Sequence, residues 1–201
     1  MKSRKLECCK SERAAGFSLT ELVIALAVAL VLIGIGMPSF LRAYHSYQLT
    51  NAASQLADIL RLTRYEAIRL NKNVNCVIQP DALNPGITDA FADSDGNGLP
   101  GPTEKIILLG SGGNIIDAGA VSGGTGTLLA KANLLTAVAA TPGAMNVWFD
   151  ARGAVVTGNV TVFYLASALG PEAGYRAVVL LPAGSIQVWT GDGTGYWGQL
   201  R

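Results

Sequence analysis

Acidic and amide side chains cluster in one short stretch, residues 93–104 (DSDGNGLPGPTE). Their spacing, D-x-D-x-N-G, then five residues, then E, places oxygen atoms at alternate positions with a glycine at the turn. Calcium ions take six to eight oxygen ligands from loops of this pattern. The ligands would be the carboxylates of Asp93, Asp95 and Glu104, the side-chain oxygen of Asn97 and the backbone carbonyl of Leu99.

The flanks of this stretch differ from those of a helix-loop-helix calcium site. No helical pattern precedes it, and Pro100 and Pro102 lie inside it. A turn built from Asp, Asn and Gly residues that needs no ion has the same composition. Calcium is therefore the one cofactor that the sequence suggests, and both interpretations stay open.

Residues for other chemistry are missing from the sequence. His45 is the only histidine, and no Gly-x-Ser-x-Gly elbow is present to supply a nucleophile. The glycine-rich stretch 110–126 lacks the Lys-Ser/Thr pair of a phosphate-binding loop. The three tryptophans are expected to pack in the core or on a sheet. The sequence thus predicts no catalytic site and a protein that is not an enzyme.

One carboxylate lies in an unusual environment. Between Phe17 and Leu41, Glu21 is the single charged residue among 25. A helix of that length spans roughly 37 Å, enough to cross the hydrocarbon core of a bilayer. A carboxylate in hydrocarbon costs on the order of 2.5 to 3.5 kcal/mol. Glu21 is therefore expected to need a partner.

The residues before this apolar segment are basic. Residues 1–16 contain Lys2, Arg4, Lys5, Lys10 and Arg13 against Glu7 and Glu12. Positive charge before a first span favours a cytoplasmic N-terminus, so the long C-terminal part is expected in the periplasm.

The rest of the chain carries little net charge and one cysteine. Of the 15 basic and 14 acidic residues, 10 and 12 lie after residue 16. This balance gives no reason to expect nucleic-acid binding. Cys8 and Cys9 belong to the N-terminal segment, so Cys76 is alone and no intramolecular disulfide is predicted once that segment is removed.

The run Gly16-Phe17-Ser18-Leu19-Thr20-Glu21-Leu22, between the basic leader and the apolar segment, resembles the N-terminal signature of type IV pilins and type II secretion pseudopilins. In that family a prepilin peptidase cuts after the glycine and methylates the new N-terminal phenylalanine. The glutamate is thought to pair with the N-terminal amine of a neighbouring subunit. The resemblance implies cleavage after Gly16, methylation of Phe17 and an assembly role for Glu21.

A long helix should continue beyond the membrane segment. Pro38 removes the hydrogen bond to the carbonyl of Gly34, which predicts a kink there. Past residue 42 the helix becomes amphipathic and should end near Asn71. Apolar residues at three- and four-residue steps should face a sheet; they are Leu49, Ala52, Leu56, Ile59, Leu60, Ala67 and Ile68.

The chain after residue 73 reads as β-structure. Strands are predicted at 74–78, 105–109, 146–150, 154–157, 160–165, 175–181 and 185–189, with loops at 80–104 and 110–126 and an ambiguous stretch at 127–140. Short turns between the later strands favour antiparallel hairpins. The expected fold is α+β and pilin-like, with the long helix packed on antiparallel β-sheet. Its parts are a cleaved cytoplasmic leader (1–16), a transmembrane helix (17–41), an amphipathic helix (42–73) and a periplasmic β domain (74–201).

Three further stretches narrow the resemblance to H-type (GspH) minor pseudopilins and the related FimT-type minor pilins. They are 64–71 (RYEAIRLN), 147–153 (VWFDARG) and 175–188 (YRAVVLLPAGSIQV). The chain departs from the family where the last hairpin has Gly184-Ser185 instead of glycine and arginine. Basic residues there are linked to DNA contact in FimT-type pilins, and only Arg201 lies beyond Arg176. No nucleic-acid partner is expected.

The resemblance implies a structural role in protein secretion. The chain would be a minor pseudopilin of a type II secretion system, at or near the pseudopilus tip, assembled through its N-terminal helix. The implied partners are other pseudopilins or pilins, the prepilin peptidase, the inner membrane and exported proteins. The alternatives are a FimT-type minor pilin of a type IV pilus and, more remotely, a membrane-anchored periplasmic enzyme or binding module.

Overall fold

The computed structural model describes residues 18–81, 83–84, 87–102, 104–110, 113–121, 126–167 and 173–200. The chain divides into two compact units, one ending at Phe40 and the other running from Leu41 to Arg201. One long helix, α1 (Leu19–Leu70), contributes to both units.

In the first unit, helix α1 is exposed along its whole described length. No residue from Ser18 to Phe40 is buried, although large apolar side chains predominate there. Among the described helices, α1 is the one that is long and apolar enough to cross a membrane. The helix continues through Pro38, and the kink predicted there stays a prediction.

In the second unit, α1 buries one face. The buried residues recur at three- and four-residue steps and are Leu49, Ala52, Ala53, Leu56, Ala57, Ile59, Leu60, Thr63 and Ala67. The helix ends at Leu70, close to the predicted end, and Asn71 takes a positive φ of 49° that terminates it. The prediction that Ile68 faces a sheet is wrong, because Ile68 lies at the edge of the buried stripe and is 46% exposed.

Within the described residues, ten strands follow α1. They are β1 (Val74–Pro80), β2 (Thr88–Asp93), β3 (Ile106–Leu109), β4 (Asn114–Ile116), β5 (Val138–Ala139), β6 (Met145–Phe149), β7 (Thr161–Ala166), β8 (Tyr175–Leu180), β9 (Ile186–Gly191) and β10 (Trp197–Leu200). A 3-10 turn (Ala118–Ala120) and a short helix, α2 (Gly126–Lys131), lie between β4 and β5.

The strands form two sheets in the second unit. The first sheet has the order β3-β2-β1-β6 and the second has the order β10-β9-β8-β7-β4, with β5 beside β7. The neighbouring strands in these sheets are antiparallel except for β5, which pairs with β7 in parallel. The expected α+β, pilin-like layout of a long helix on antiparallel sheet is confirmed.

The core has two parts. The larger part joins α1 to one face of each sheet, for example through Leu56, Phe149 and Phe163. The smaller part lies on the other face of the second sheet, where Leu128 of α2 packs with Trp197 and neighbouring residues. Strand β8 is buried along its whole length because both of its faces are covered.

Several predicted boundaries are wrong. Residues 80–104 were expected to be loop, but β2 lies within them and pairs with β1 along six residues. Residues 110–126 contain β4, which pairs with β7. The stretch 127–140, which the sequence leaves ambiguous between helix and strand, contains most of α2 and all of β5. The strand predicted at 154–157 is reduced to one bridge between Phe149 and Val155, because the chain there turns towards the second sheet.

Candidate functional site

The N-terminal part of α1 presents a carboxylate on an apolar surface. Glu21 lies in the first turn of the helix and is exposed. Among the described residues no hydrogen bond or ion pair reaches its side chain. Ser18 and Thr20 share a hydroxyl hydrogen bond of 2.9 Å beside it. Gly16 and Phe17, the predicted cleavage and methylation residues, lie outside the described residues.

The acidic stretch after β2 brings three carboxylates together. Carboxylate oxygens of Asp93, Asp95 and Glu104 lie within 4.8 Å of one another. Asp93 is 4% exposed at the end of β2, and Glu104 precedes β3. The pairing of β2 with β3 returns the chain to the same end of the sheet, and so the structure unites the three charged ligands that the sequence predicts.

Backbone amides hold these carboxylates in place. Asp93 accepts hydrogen bonds from the amides of Gly96 (2.7 Å) and Gly98 (3.1 Å). Glu104 accepts from the amides of Ser94 (2.7 Å) and Gly101 (2.9 Å). These bonds fix the orientation of both carboxylates. The loop is therefore a shaped acidic site.

The two neutral ligands predicted for this site, Asn97 and Leu99, take part in hydrogen bonds within the turn. The side-chain oxygen of Asn97 accepts a hydrogen bond from the amide of Leu99 at 2.6 Å. Its amide nitrogen donates to Asp95 at 2.7 Å. The positive φ of Gly98, 71°, provides the turn that the motif requires. Asn97 is thus engaged within the turn, as the ion-free interpretation also predicts.

Arg176 is a buried cation that no sequence pattern singles out. It lies on β8 and is 6% exposed. Its guanidinium donates to the hydroxyls of Thr50 (3.0 Å) and Ser46 (2.8 Å) and to the carbonyl of Tyr175 (2.9 Å). Burial lowers its pKa. Arg176 thus fastens α1 to the second sheet and is occupied by these contacts.

The remaining side chains that the sequence analysis considered are the three tryptophans, His45 and Cys76. Trp189 and Trp197 are buried, as predicted, and Trp148 is 41% exposed. His45 packs its ring 6.2 Å from that of Tyr44, between ring centroids. Cys76 is fully buried, and this burial raises the pKa of its thiol to about 12. A thiol in this state is protonated and inert at neutral pH.

An exposed apolar helix that runs into an α+β domain defines the pilin-like class of proteins. Within that class, the family model "Type II transport protein GspH" matches residues 52–184, about two thirds of the chain. The chain belongs to this GspH family of type II secretion pseudopilins. Neither the comparison with curated proteins nor that with solved structures gives a match.

Membership of the family has consequences for function and placement. The GspH family is a structural pseudopilin family and not an enzyme family. Its members act with other pseudopilins in type II secretion. The one N-terminal apolar helix fits a single-pass anchor in the inner membrane with a C-terminal domain.

Proposed function

We propose that the chain is a minor pseudopilin that is cleaved after Gly16, methylated on Phe17 and assembled at or near the tip of the pseudopilus. The prepilin peptidase is its processing enzyme, and the domain from Leu41 onward lies in the periplasm before assembly, where it can meet exported proteins. The observation that carries the proposal is the exposed apolar part of α1, up to Phe40, with Glu21 in its first turn, in a chain of the GspH family.

Glu21 is the residue through which assembly is best tested. Its carboxylate pairs with the N-terminal amine of an adjacent subunit once the helices pack together in lipid. Removing one partner of a buried ion pair costs about 3 to 5 kcal/mol, so Glu21→Gln should lower incorporation into the filament at least about tenfold. Membrane insertion and cleavage should stay intact. Cross-linking to neighbouring subunits, with mass spectrometry of the N-terminus, measures all three steps.

A matched control lies on the same helix. Asp58 pairs with Arg61 at 2.8 Å and is more than half exposed, so Asp58→Asn should leave incorporation unchanged. If Glu21→Gln cross-links as efficiently as the wild type, the assembly role is wrong. An uncleaved Met1 terminus in cells with an active peptidase would contradict the processing step. Co-assembly with pilus subunits alone would favour the FimT-type alternative.

We also propose that the 93–104 loop binds calcium in the periplasm. Three carboxylates with oxygens within 4.8 Å repel one another, and a divalent cation offsets that repulsion. The loop lacks flanking helices, so its dissociation constant should be on the order of 10⁻⁴ to 10⁻³ M, the range of extracellular calcium modules. At ten times that concentration, calcium adds about 1.4 kcal/mol of stability.

This stabilisation predicts a thermal shift of about 3 to 5 °C for a domain of this size. The test is to melt the detergent-solubilised protein in calcium and in chelator, following tryptophan fluorescence. Asp93→Asn with Glu104→Gln should abolish the shift. Asp81→Asn is the matched control, because Asp81 accepts from Leu83 and Asn84 in a turn outside the loop. An absent wild-type shift, or an equal shift in the double variant, would show that the loop is only a turn.

A further inference from the structure

Arg64 lies on one flank of α1 with its charge uncompensated. Its Nε atom is buried and has no hydrogen-bond partner. Within the part of the chain that the structure describes, no carboxylate or carbonyl accepts from its guanidinium. Two other arginines of the same helix differ, since Arg61 pairs with Asp58 and Arg69 pairs with Glu66.

Two glycine turns hold the stem of Arg64. Gly153 and Gly184 have φ values of 79° and 76° and approach the side chain from two turns of the β domain. A Cβ atom placed on Gly153 would lie 2.9 Å from Nε of Arg64, and one on Gly184 would lie 2.8 Å from it. The side chain is therefore fixed before any partner arrives, and less conformational entropy remains to be lost on binding.

The surroundings of Arg64 have the composition of a protein interface. Tyr65 and Ile68 follow it on the same flank of the helix and are 66% and 46% exposed. Arg152 precedes Gly153 in the turn, is exposed, and has no ion pair among the described residues. Arginine, tyrosine and large apolar residues are the side chains that dominate binding energy at interfaces.

We propose that the arginine patch, formed by Arg64, Tyr65, Ile68 and Arg152, docks an acidic, partly apolar surface of another protein subunit. Carboxylates of the partner meet Arg64 and Arg152 as charge-assisted hydrogen bonds, and apolar side chains cover Tyr65 and Ile68. Only the identity of the partner, which we expect to be another pseudopilin, rests on the proposed function.

Charge favours a protein over a nucleic acid as the occupant. Phosphate backbones require clustered cations, with affinity that grows with each contact. The arginine patch offers two cations, and Asp58 and Glu66 lie nearby on the helix. A partner with a few carboxylates set in an apolar surface matches this mixture of charge and apolar area.

The test uses the full chain in its own cells, with a photo-cross-linking phenylalanine analogue in place of Tyr65. The expected adduct is a protein whose cross-linked peptide carries Asp or Glu. Arg64→Met keeps an unbranched stem between the two glycine turns. Arg152→Glu changes only an exposed side chain, because the turn is held by the backbone amides of Arg152 and Ala154, which donate to the Asp150 carboxylate. Each change should lower the adduct yield roughly tenfold.

The controls separate docking from folding and from filament assembly. Lys105→Gln, an exposed charge elsewhere, should leave the yield unchanged, and replacing the partner's carboxylate with arginine should restore the adduct of Arg152→Glu. A second photo-cross-linking probe, placed at Ile24, reports assembly through the N-terminal helix. If the chain with no other change gives no adduct at Ile24, the proposed function is contradicted. The adduct at Tyr65 tests the arginine patch separately. An unchanged yield in both arginine variants, a nucleic-acid adduct, or no protein adduct at Tyr65 would overturn the inference.

Discussion

The protein is expected to lose stability steeply above pH 9 because of Cys76. The folded state keeps the buried thiol protonated up to about pH 12, whereas the unfolded chain releases that proton near the ordinary value of 9.0. Between these values the folded state binds more protons, so stability falls as pH rises. From pH 8.5 to 10.5 the loss attributable to Cys76 is about 2 kcal/mol. Denaturant unfolding at several pH values measures it.

The comparison with Cys76→Ala isolates this contribution. All other titratable groups are common to both proteins, so their contributions cancel in the difference. The variant should be less stable than the wild type at pH 8, because it leaves a cavity, and the gap should shrink or reverse by pH 10.5. A gap that is constant with pH would contradict the burial of the thiol.

The helix and the apolar strands could be predicted because their signals are local. Strand β8 is a run of apolar residues bounded by turns, and the sequence places it within one residue of its observed end. The stripe of α1 follows from three- and four-residue steps. Such patterns indicate burial directly, since a helix or strand with one buried face repeats its apolar residues at the period of that helix or strand.

Strand β2 could not be predicted because tertiary structure overrides its composition. Its sequence, TDAFAD, contains two aspartates, which are rare in strands. Pairing with β1 nevertheless buries both, leaving Asp89 7% exposed and Asp93 4% exposed. The cost of burying the Asp93 carboxylate is offset by hydrogen bonds from the amides of the following turn. Asp93 therefore makes β2 hard to predict from composition and also belongs to the candidate calcium site.

The candidate sites differ in the same way, because some are formed by residues close in sequence and others by distant ones. The proximity of Asp93 and Glu104 follows from a motif 12 residues long, because a short loop between paired strands brings its ends together. The contact of Arg176 with Thr50 spans 126 residues and has no local signal. The surroundings of Arg64 also have no local signal, because its side chain lies between turns from two distant parts of the β domain. Contacts of this kind depend on how the sheets are placed on the helix.

Replacement of Gly184 by alanine is expected to destabilise the domain by roughly 2 to 5 kcal/mol. A non-glycine residue at its φ of 76° costs about 1 to 2 kcal/mol. Its Cβ would clash with the carbonyl oxygen of Gly153, which is backbone and cannot rotate away. Displacing that turn adds about 1 to 3 kcal/mol. Thermal unfolding should show a fall in Tm of about 4 to 20 °C.

Gly158 provides the matched control for this prediction. Its φ of 66° is close to that of Gly184, yet nothing lies within 4 Å of a Cβ placed there. Gly158→Ala should therefore carry only the backbone cost, about 1 to 2 kcal/mol, and lower Tm by about 2 to 8 °C. The difference between the two variants measures the close approach of the turns that grip Arg64. Equal losses of stability would mean that the turns are free to separate, and the fixed placement of Arg64 in the arginine patch would then be wrong.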